Sequence, residues 1–480
     1  MVCRQLTILV GLALFLTACA SLTAERNQPL LAQGPARGPE YRLTAIDDHT
    51  SKELFLAVAF SGGGKRSAAF GYGALTALKD ITLAYNGTPS RLSDEIDFIS
   101  GVSGGSFTAS AFGFMREAFW QNYRTEFLYH DLNAEIFAIY LQPWRWDWLV
   151  NPDWGTNDEM ARVYDDILFK DARFDRLAKL GRPLVAIQAT DFANEQPFIF
   201  TQDTFDLLCS DLSTFPIARA VAASNGFPIL FSPISLNNYN GSGEGQCKRP
   251  TWINEYLKIQ DEFSRRRHHA LQANRYLTQK EGGSYVHLLD GGVGDNLALR
   301  GLIQLMVPPD KADPEFFRDL RKIQHVVVIS VDGQSEPDRD LNNIPVLSSV
   351  FRIVGAVTST AIDRLGFETL VHAREMTERL AARLAAEDCP SPVPCRSVEA
   401  HFAHVSLADL ADDARRRELA SIPTGLTIAD EDVDALIQAG YDAVLCDPQM
   451  RKLFSRLPKA SLPRQTPGRC AGALPTRSLQ

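Results

Sequence analysis

A serine lies between glycines in the segment Gly101-Val102-Ser103-Gly104-Gly105, which fits the pattern Gly-x-Ser-x-Gly. Glycines on both sides of a serine leave room for a sharp turn from a strand into a helix, and such a turn exposes the hydroxyl as a nucleophile. The N-terminus of the following helix would favour an anion that develops beside this serine. The pattern predicts acyl transfer through Ser103, with a glycine-rich packing turn as the alternative.

A second glycine-rich segment, Gly62–Ser67 (Gly-Gly-Gly-Lys-Arg-Ser), follows an apolar run that is typical of a buried strand. Consecutive glycines let several backbone N–H groups approach one point, as an oxyanion hole for an ester's tetrahedral intermediate requires. The segment lacks the pattern of a nucleotide-binding Walker loop and that of the dinucleotide fingerprint. We therefore expect an oxyanion hole here, with a plain flexible turn as the alternative.

An aspartate followed by two glycines, Asp290-Gly291-Gly292, comes directly after the apolar segment 285–289. A carboxylate at the end of a strand, with no bulky side chain after it, can accept a proton from a nearby hydroxyl. On its own such a segment is a common turn, and its meaning depends on the other two motifs.

Taken together and in this order, the three motifs resemble the patatin-like phospholipase family. That family has a glycine-rich loop, then Gly-x-Ser-x-Gly, then Asp-Gly-Gly or Asp-Gly-Ala, and it works with a Ser–Asp dyad without a catalytic histidine. The resemblance covers about residues 54–333 and implies Ser103 as the nucleophile and Asp290 as the base. It implies an oxyanion loop at Gly62, Gly63, Gly64 and Arg66, with Arg66 near the developing charge or a substrate phosphate.

Other positions bear on the same resemblance. Ser67 stands where the family usually has glycine. The segment 222–228 (Ala-Ala-Ser-Asn-Gly-Phe-Pro) looks like the family's small-residue segment between the serine and the aspartate. The segment Ile422–Gly425 (Ile-Pro-Thr-Gly) looks like one seen in bacterial lipoprotein members.

A Ser-His-Asp triad is the rival interpretation, since such hydrolases order their residues as Ser, Asp, His along the chain. The candidates would be Ser103, then Asp191 or Asp290, then His372, His401 or His404. These histidines lie in helical or irregular contexts, so the dyad is preferred. His287, three residues before Asp290 on the same strand, would face the opposite side of the sheet.

The succession of strand, glycine turn and helix occurs twice, which predicts an α/β fold with its function at the carboxyl ends of the strands. Apolar runs predict strands at Leu54–Phe60, Ile96–Ser100, Pro183–Ala189, Tyr285–Leu289 and Gln324–Val331. Helices are predicted at Arg66–Lys79, Ser106–Phe119, Gln260–Leu277, Ile344–Glu387 and Asp430–Cys446. With the resemblance, this indicates a three-layer α/β hydrolase with a central, mostly parallel sheet and a helical C-terminal extension.

The chain divides by composition into five parts. We expect a signal peptide at 1–18, a lipidated N-terminus and flexible tether at 19–50, and a hydrolase domain at 51–335 with an insertion at about 205–280. A helical extension at 336–447 and a loosely packed tail at 448–480 would follow.

The N-terminus carries an export signal. Arg4 precedes an uncharged apolar stretch that ends in Leu16-Thr17-Ala18-Cys19, and this stretch is too short to span a bilayer. A leucine, two small residues and a cysteine resemble the lipobox of bacterial lipoproteins. The resemblance implies acylation of Cys19 and retention at the outer membrane, with an ordinary signal peptide as the alternative.

Cysteine usage agrees with export. An even number of cysteines in an exported chain favours disulfides. Beyond Cys3 and Cys19, the chain contains Cys209, Cys247, Cys389, Cys395, Cys446 and Cys470. We expect sequence neighbours to pair, most strongly Cys389 with Cys395. Zinc is the alternative, but the spacings lack a CxxC motif, and we predict neither a metal nor a cofactor.

Composition excludes some classes of function. The chain has 49 Lys and Arg against 58 Asp and Glu, a formal net charge of −9, which argues against a nucleic-acid binder. Four of its six tryptophans crowd one short stretch, at Trp144, Trp146, Trp148 and Trp154. We expect a packed loop over the sheet there, with a membrane-facing lip or an acyl-chain pocket as the alternative.

These observations predict an exported hydrolase of lipid acyl esters that binds lipid or phospholipid substrate and the membrane. A triad esterase is one alternative. A lipoprotein scaffold that kept the fold and lost turnover is another, although a scaffold has no need of the serine, the aspartate and the glycine loop together.

Overall fold

The computed structural model describes residues 26–31, 40–85, 88–151, 154–228, 230–240, 247, 249–278, 283–306, 322–334, 350–386, 396–410, 412–457, 460–463 and 470. Its strands are β1 (Gln28–Pro29), β2 (Leu54–Phe60), β3 (Thr82–Tyr85), β4 (Thr88–Arg91), β5 (Ile96–Val102), β6 (Leu184–Asp191), β7 (Gln196–Ile199), β8 (Ser210–Asp211), β9 (Ile234–Asn237), β10 (Tyr285–Leu289), β11 (His325–Asp332) and β12 (Glu399–Ser406).

The α-helices occupy both the central and the C-terminal parts of the chain. They are α1 (Gly64–Asp80), α2 (Gly104–Met115), α3 (Phe119–Tyr123), α4 (Leu132–Leu141), α5 (Asp147–Val150), α6 (Thr156–Tyr164), α7 (Phe174–Leu180), α8 (Gln202–Leu207), α9 (Ile217–Ser224), α10 (Thr251–Leu257), α11 (Arg265–Leu277), α12 (Gly292–Asp295), α13 (Arg300–Met306), α14 (Val350–Ala386), α15 (Asp413–Ser421), α16 (Asp430–Cys446) and α17 (Pro448–Phe454).

An eight-stranded mixed sheet forms the centre, in the order β12-β11-β2-β5-β6-β10-β9, with β7 paired to β6. The strands from β12 to β6 run parallel, whereas β10 is antiparallel to β6 and β9 is antiparallel to β10. Every residue of β2, β5 and β6 is buried, as expected of parallel strands that are covered on both faces. The expected three-layer α/β architecture with a mostly parallel sheet is confirmed.

The connections explain why helices cover both faces. Helix α1 joins β2 to β5 and α2 joins β5 to β6, whereas α14 joins β11 to β12 in the opposite direction along the sheet. Because parallel crossovers are right-handed, opposite directions place their helices on opposite faces. The strand order reverses at β2, and the crevice at such a point is where α/β sheets place their sites.

The antiparallel strand β10 brings two distant parts of the chain together. Its last residue, Leu289, lies opposite Thr190 of β6. The last residue of β5, Val102, lies opposite Gln188 of β6, two residues before Thr190. The segment that follows β10 therefore reaches the carboxyl end of β5. This register places Asp290 beside Ser103.

Most predicted elements are confirmed. The strands at 54–60 and 285–289 and the helix at 430–446 have the predicted bounds, and the other predicted strands differ by three residues or fewer at either end. The long charged helix expected within 260–277 begins later, at Arg265, where the Ser264 side chain caps it by accepting the Arg267 N–H.

The described part of the C-terminal extension is mostly helical, as predicted, but it also contributes a strand that the sequence pattern does not predict. Strand β12 adds to the edge of the sheet in parallel with β11, and α16 packs along α1. The strand carries Glu399, His401 and His404, because an edge strand needs less apolar surface than a central one. Its weak apolar signal explains why the sequence pattern missed it.

The described parts of two regions that were expected to be loose contain packed segments. Strand β1 pairs with β8, and the side chain of Asn27 is buried. Tyr41 is buried as well, and its hydroxyl donates to the carbonyl oxygen of Val185 at 3.0 Å. In the tail, α17 buries Met450, Leu453 and Phe454. The signal peptide and Cys19 lie outside the described residues.

The predicted insertion is partly integral to the fold. Within 205–280, α9 and β9 belong to the main domain, since β9 pairs with β10 and α9 packs against β6. Disulfides join Cys209 to Cys247 and Cys446 to Cys470, which confirms neighbour pairing for these two. The pair Cys389–Cys395 lies outside the described residues. In the part of the chain that the structure describes, no helix is both long and apolar enough to cross a membrane.

Candidate active site

Ser103 lies at a sharp turn between β5 and α2. Its φ of 50° and ψ of −124° are outside the favoured regions for a residue with a side chain. Such strain is typical of a nucleophile elbow, which turns the hydroxyl outward at the end of a strand. The turn also needs a glycine after the serine, because a Cβ on Gly104 would lie 1.9 Å from the carbonyl oxygen of Gly64.

The side chain of Ser103 lies against that of Asp290. Ser103 Oγ is 3.0 Å from Asp290 Oδ2, a normal distance for a hydroxyl that donates to a carboxylate. Both residues are only 8% exposed. The other carboxylate oxygen, Oδ1, accepts the Gly292 N–H at 2.8 Å, and the Gly291 N–H donates to the carbonyl oxygen of Ser224. The glycines after the aspartate thus fix its orientation.

Burial raises the pKa of Asp290 to about 6, although the hydrogen bonds from Gly292 and Ser103 act in the opposite direction. A carboxylate whose pKa lies near neutrality is a better proton acceptor than an exposed aspartate and is still ionised at neutral pH. The position and the pKa together suit Asp290 to the role of a general base.

Residues of the segment 222–228 complete the surroundings of the serine. Ser103 Oγ is also 3.1 Å from Asn225 Oδ1, and the Asn225 amide donates to the Tyr164 hydroxyl. The Ser224 hydroxyl accepts the Ser103 N–H at 2.9 Å and donates to the carbonyl oxygen of Gln188. The sequence pattern of this segment does not indicate a role for Asn225 or Ser224, because only the fold shows that the segment borders the elbow.

The glycine-rich loop lies directly beside the elbow. A Cβ on Gly62 would lie 3.3 Å from the Cβ of Ser103. The Gly62 N–H donates to the carbonyl oxygen of Asn296 at 2.8 Å, so this group is already occupied and the expectation of Gly62 as an oxyanion donor is wrong. Gly63 and Gly64 remain as candidate donors at the start of α1.

Arg66 differs from the expectation as well. It is 1% exposed, and its Nε and Nη1 donate to the carbonyl oxygens of Gly333 and Ile422 at 2.9 and 2.6 Å. Its Nη2 donates to Thr424 Oγ1 at 2.9 Å. Burial lowers the pKa of Arg66 to about 10. Since protein oxygens engage all three nitrogens, this side chain supports the loop instead of facing a substrate.

The segment Ile422–Gly425, which we name the bracing segment, therefore holds the glycine-rich loop from outside. Besides its bonds to Arg66, it accepts the Lys65 N–H on the carbonyl oxygen of Gly425 at 2.8 Å. Gly64 has a φ of 61°, and a Cβ there would lie 2.4 Å from the same oxygen. Only glycine allows this close contact, so the C-terminal extension helps to shape the site.

The histidines of the rival triad contact other groups. His372 contacts Arg265, His401 Nε2 is 3.4 Å from Glu399 Oε2, and His404 Nδ1 is 3.3 Å from Ser330 Oγ. His287, which is not a triad candidate, has its Nδ1 2.8 Å from Ser235 Oγ. Asp191 binds Asn194 and the Tyr276 hydroxyl. In the described part of the chain, the hydrogen bonds of the Ser103 and Asp290 side chains include no histidine.

Two of the four clustered tryptophans pack and two are exposed. The Trp148 ring contacts Tyr140 edge-on, and Trp154 stacks under Arg162. Trp144 and Trp146 are instead exposed, by 75% and 38%. The expected packed loop is thus only partly found.

Three other large apolar side chains in the same stretch of sequence are exposed as well. We name the exposed set the apolar surface, and its residues are Phe137, Leu141, Trp144, Trp146 and Leu149. It is connected to the site through α4, because the Tyr140 hydroxyl donates to the carbonyl oxygen of Leu230. That residue closely follows Gly226, whose carbonyl oxygen accepts the Asp290 N–H at 3.0 Å. Between them, Phe227 is itself 47% exposed.

Comparison with known proteins gave a family and several solved structures. A model of the Patatin-like phospholipase family matches residues 58–303. A structure of human GIVD cytosolic phospholipase A2 is 11% identical with a TM-score of 0.37, and its complex with methyl gamma-linolenyl fluorophosphonate is 15% identical with a TM-score of 0.36. Each comparison covers 85% of this chain, which spans 60% of the length of those proteins. No curated protein sequence matches the chain.

The matched region begins within β2 and ends within α13, so it contains the glycine-rich loop, the elbow and the Asp-Gly-Gly turn. It covers just over half of the 480 residues. This chain therefore belongs to the patatin-like phospholipase family.

Proposed function

We propose that the protein hydrolyses carboxylic esters of lipids through an acyl intermediate on Ser103. Members of its family are serine hydrolases of lipid esters, which supports the class of reaction. The observation that carries the proposal is the 3.0 Å contact between Ser103 Oγ, on a strained elbow, and the buried carboxylate of Asp290.

The geometry suggests a sequence of steps. Asp290 accepts the hydroxyl proton as Ser103 Oγ attacks the ester carbonyl carbon, and the carbonyl oxygen becomes an oxyanion. The N–H groups of Gly63 and Gly64 stabilise that oxyanion. The carbon–oxygen bond then breaks, the leaving alkoxide takes the proton from Asp290, and an acyl ester remains on Ser103.

Hydrolysis of the intermediate reverses these roles. Asp290 accepts a proton from a water molecule that attacks the acyl carbonyl, and it returns the proton to Ser103 Oγ as the fatty acid leaves. A single carboxylate can serve both steps because its raised pKa lets it hold a proton transiently.

A fluorophosphonate probe tests the nucleophile, since it labels only an activated serine. The wild-type protein should be labelled and should hydrolyse lipid esters. Ser103→Ala should lose the label and at least about a thousandfold in kcat, because loss of a nucleophile typically costs several orders of magnitude. Its Tm should stay close to that of wild type. Failure of wild type to react would favour the scaffold, and undiminished turnover in Ser103→Ala would contradict the dyad.

We also propose that acyl chains on Cys19 attach the protein to the outer membrane. The proposal is supported by the order of Arg4, an apolar stretch and Leu16–Cys19. Each buried CH₂ of an acyl chain contributes about 0.8 kcal/mol to attachment. Cys19→Ser should abolish metabolic labelling by palmitate and leave the membrane fraction or accumulate as a precursor. Label in the variant would contradict the assignment.

A further inference from the structure

Three side chains with metal-binding atoms meet at the opposite end of the sheet from Ser103. His325 opens β11, and Glu399 and His401 lie at the start of β12. One potential ligand atom from each residue lies within 4.8 Å of those of the other two. We name this group the edge cluster.

Strand register explains why the three side chains share one face. His325 lies opposite Glu399 in the parallel ladder, and Val327 lies opposite His401. Residues that are two positions apart on a strand point to the same face, as do residues directly opposite each other. His404, an odd number of positions from His401, points to the other face and does not belong to the cluster.

The two imidazoles have buried nitrogens that lack hydrogen-bond partners. His325 is 8% exposed, and its Nδ1 is buried with no hydrogen bond. Nε2 of His401 is also buried without one, although Glu399 Oε2 lies 3.4 Å away. A buried polar atom without a partner is costly, and a native structure that retains one needs an explanation such as an ion.

We propose that the edge cluster binds a Zn²⁺ ion through His325, Glu399 and His401. Two imidazoles and a carboxylate are a ligand set that suits zinc, with a fourth position left for water. The 3.4 Å between Glu399 Oε2 and His401 Nε2 is close to the roughly 3.3 Å between ligands around tetrahedral zinc, given bonds of about 2.0–2.1 Å. His325 would close on the ion by rotation of its side chain.

Basic residues beside the cluster set its affinity. Arg456 Nη1 lies 3.1 and 3.3 Å from the two oxygens of Glu399, and the positive charge of Lys452 also acts on His401. The Arg456 side chain is 50% exposed, so it can withdraw into solvent when the carboxylate turns to a cation. A positive charge at this distance weakens cation binding, so its removal should strengthen it.

A bound ion would join the edge strand β12 to its neighbour β11 by side-chain bonds in addition to the backbone ladder. Since it would bind only the folded protein, it would raise the free energy of unfolding. No metal site is predicted from the sequence, because His325 is 74 positions from Glu399 and this spacing matches no metal motif.

The test is calorimetric titration of the full chain, without a histidine tag and stripped of metal, with ZnCl₂. Wild type should bind one equivalent with saturation, show the visible spectrum of tetrahedral Co²⁺ when cobalt is used, and unfold at a higher Tm with Zn²⁺. His401→Gln and Glu399→Gln should each weaken binding at least tenfold. Arg456→Gln should tighten it, and His404→Gln, on the other face, should leave it unchanged.

Absence of saturable binding in wild type would overturn the site. Equal affinity of wild type and both ligand variants would place the ion elsewhere and overturn it as well. The unfolding transition of each variant, measured without metal, shows whether that variant folds. Because His401→Gln and Glu399→Gln change different side chains, either one that folds is sufficient for the test.

Discussion

Asp290 combines a buried position with an oriented carboxylate. Gly292 donates to one oxygen and Ser103 to the other, so these two hydrogen bonds hold the carboxylate against Ser103. Asp290→Asn should therefore reduce kcat on a lipid ester at least about a thousandfold, since the amide cannot accept the serine proton in the same way.

Histidine variants are the matched controls for that substitution. His372→Ala, His401→Ala and His404→Ala should each keep most of the esterase activity, because the described contacts of these residues lie away from Ser103 and Asp290. A histidine variant as inactive as Asp290→Asn would replace the dyad by a triad.

The pH dependence follows from the same carboxylate. Its pKa is raised to about 6, and only the ionised form accepts the proton of Ser103. The value of kcat/KM should be constant above about pH 7, halve near pH 6 and fall about tenfold per unit below pH 5. A profile that is flat from pH 5 to pH 8, measured while the protein remains folded, would contradict Asp290 as the base.

The free energy of unfolding also depends on the pKa of Asp290, but in the opposite sense from activity, because low pH favours the folded state here. Because the pKa is higher in the folded state than in the unfolded state, the folded protein binds the extra proton between about pH 4 and pH 6, and stability contributed by Asp290 is lost as pH rises through this window.

Residue types alone could indicate Ser103 and Asp290. They could not indicate Asn225, whose role depends on where a helix end lies in space.

At the scale of elements, the bracing segment carries more than packing. Arg66→Lys keeps the charge but cannot reproduce the three-way fork of bonds to Gly333, Ile422 and Thr424. We expect it to lower kcat at least tenfold with a smaller effect on KM, because the loop that it supports would hold the oxyanion less well.

Thr424 offers a graded control for the same support. Thr424→Val removes one of the bonds to Arg66 and should cost less activity than Arg66→Lys, whereas Thr424→Ser keeps the hydroxyl and should stay near wild type. A wild-type kcat in all three variants would show that the bracing segment does not influence the reaction.

Elements with continuous apolar runs could be predicted from the sequence, and those defined by their partners could not. Strands β2 and β10 have the expected bounds, because an apolar run between glycines or turns has few other interpretations. Strand β12 has mixed polarity and forms only because β11 offers it a free edge. The contact between the bracing segment and the glycine-rich loop spans more than 350 residues and leaves no local pattern.

At the scale of the whole molecule, we expect the apolar surface to contact the lipid aggregate that contains the substrate. Large exposed apolar side chains, on and after a helix that contacts Leu230 near the candidate site, are suited to contact with a lipid surface. The double variant Leu141→Ser with Trp144→Ser should lower hydrolysis of phospholipid vesicles at least about tenfold. Hydrolysis of a short, water-soluble ester should remain within twofold of wild type, since the dyad is untouched.

Phe263→Ser is the control, because Phe263 is 87% exposed but belongs to the segment before α11. It should leave both activities unchanged. Equal loss on both substrates in the double variant would indicate damage to the site instead of lost contact with lipid.

The pairing of β1 with β8 also fixes a length. Asn27 is 1% exposed, and its amide donates to Ser210 Oγ and to the carbonyl oxygen of Asn237, so the chain is fastened to the domain there. If Cys19 bears the acyl chains, seven residues lie between it and Asn27, and the eight Cα–Cα steps from Cys19 to Asn27 span at most about 28 Å even when fully extended. Such a leash is about as long as a bilayer core is thick. The domain would then stay next to the leaflet that holds the acyl chains, where the effective concentration of lipid is high. A freely diffusing ester would have to compete with that lipid for the candidate site.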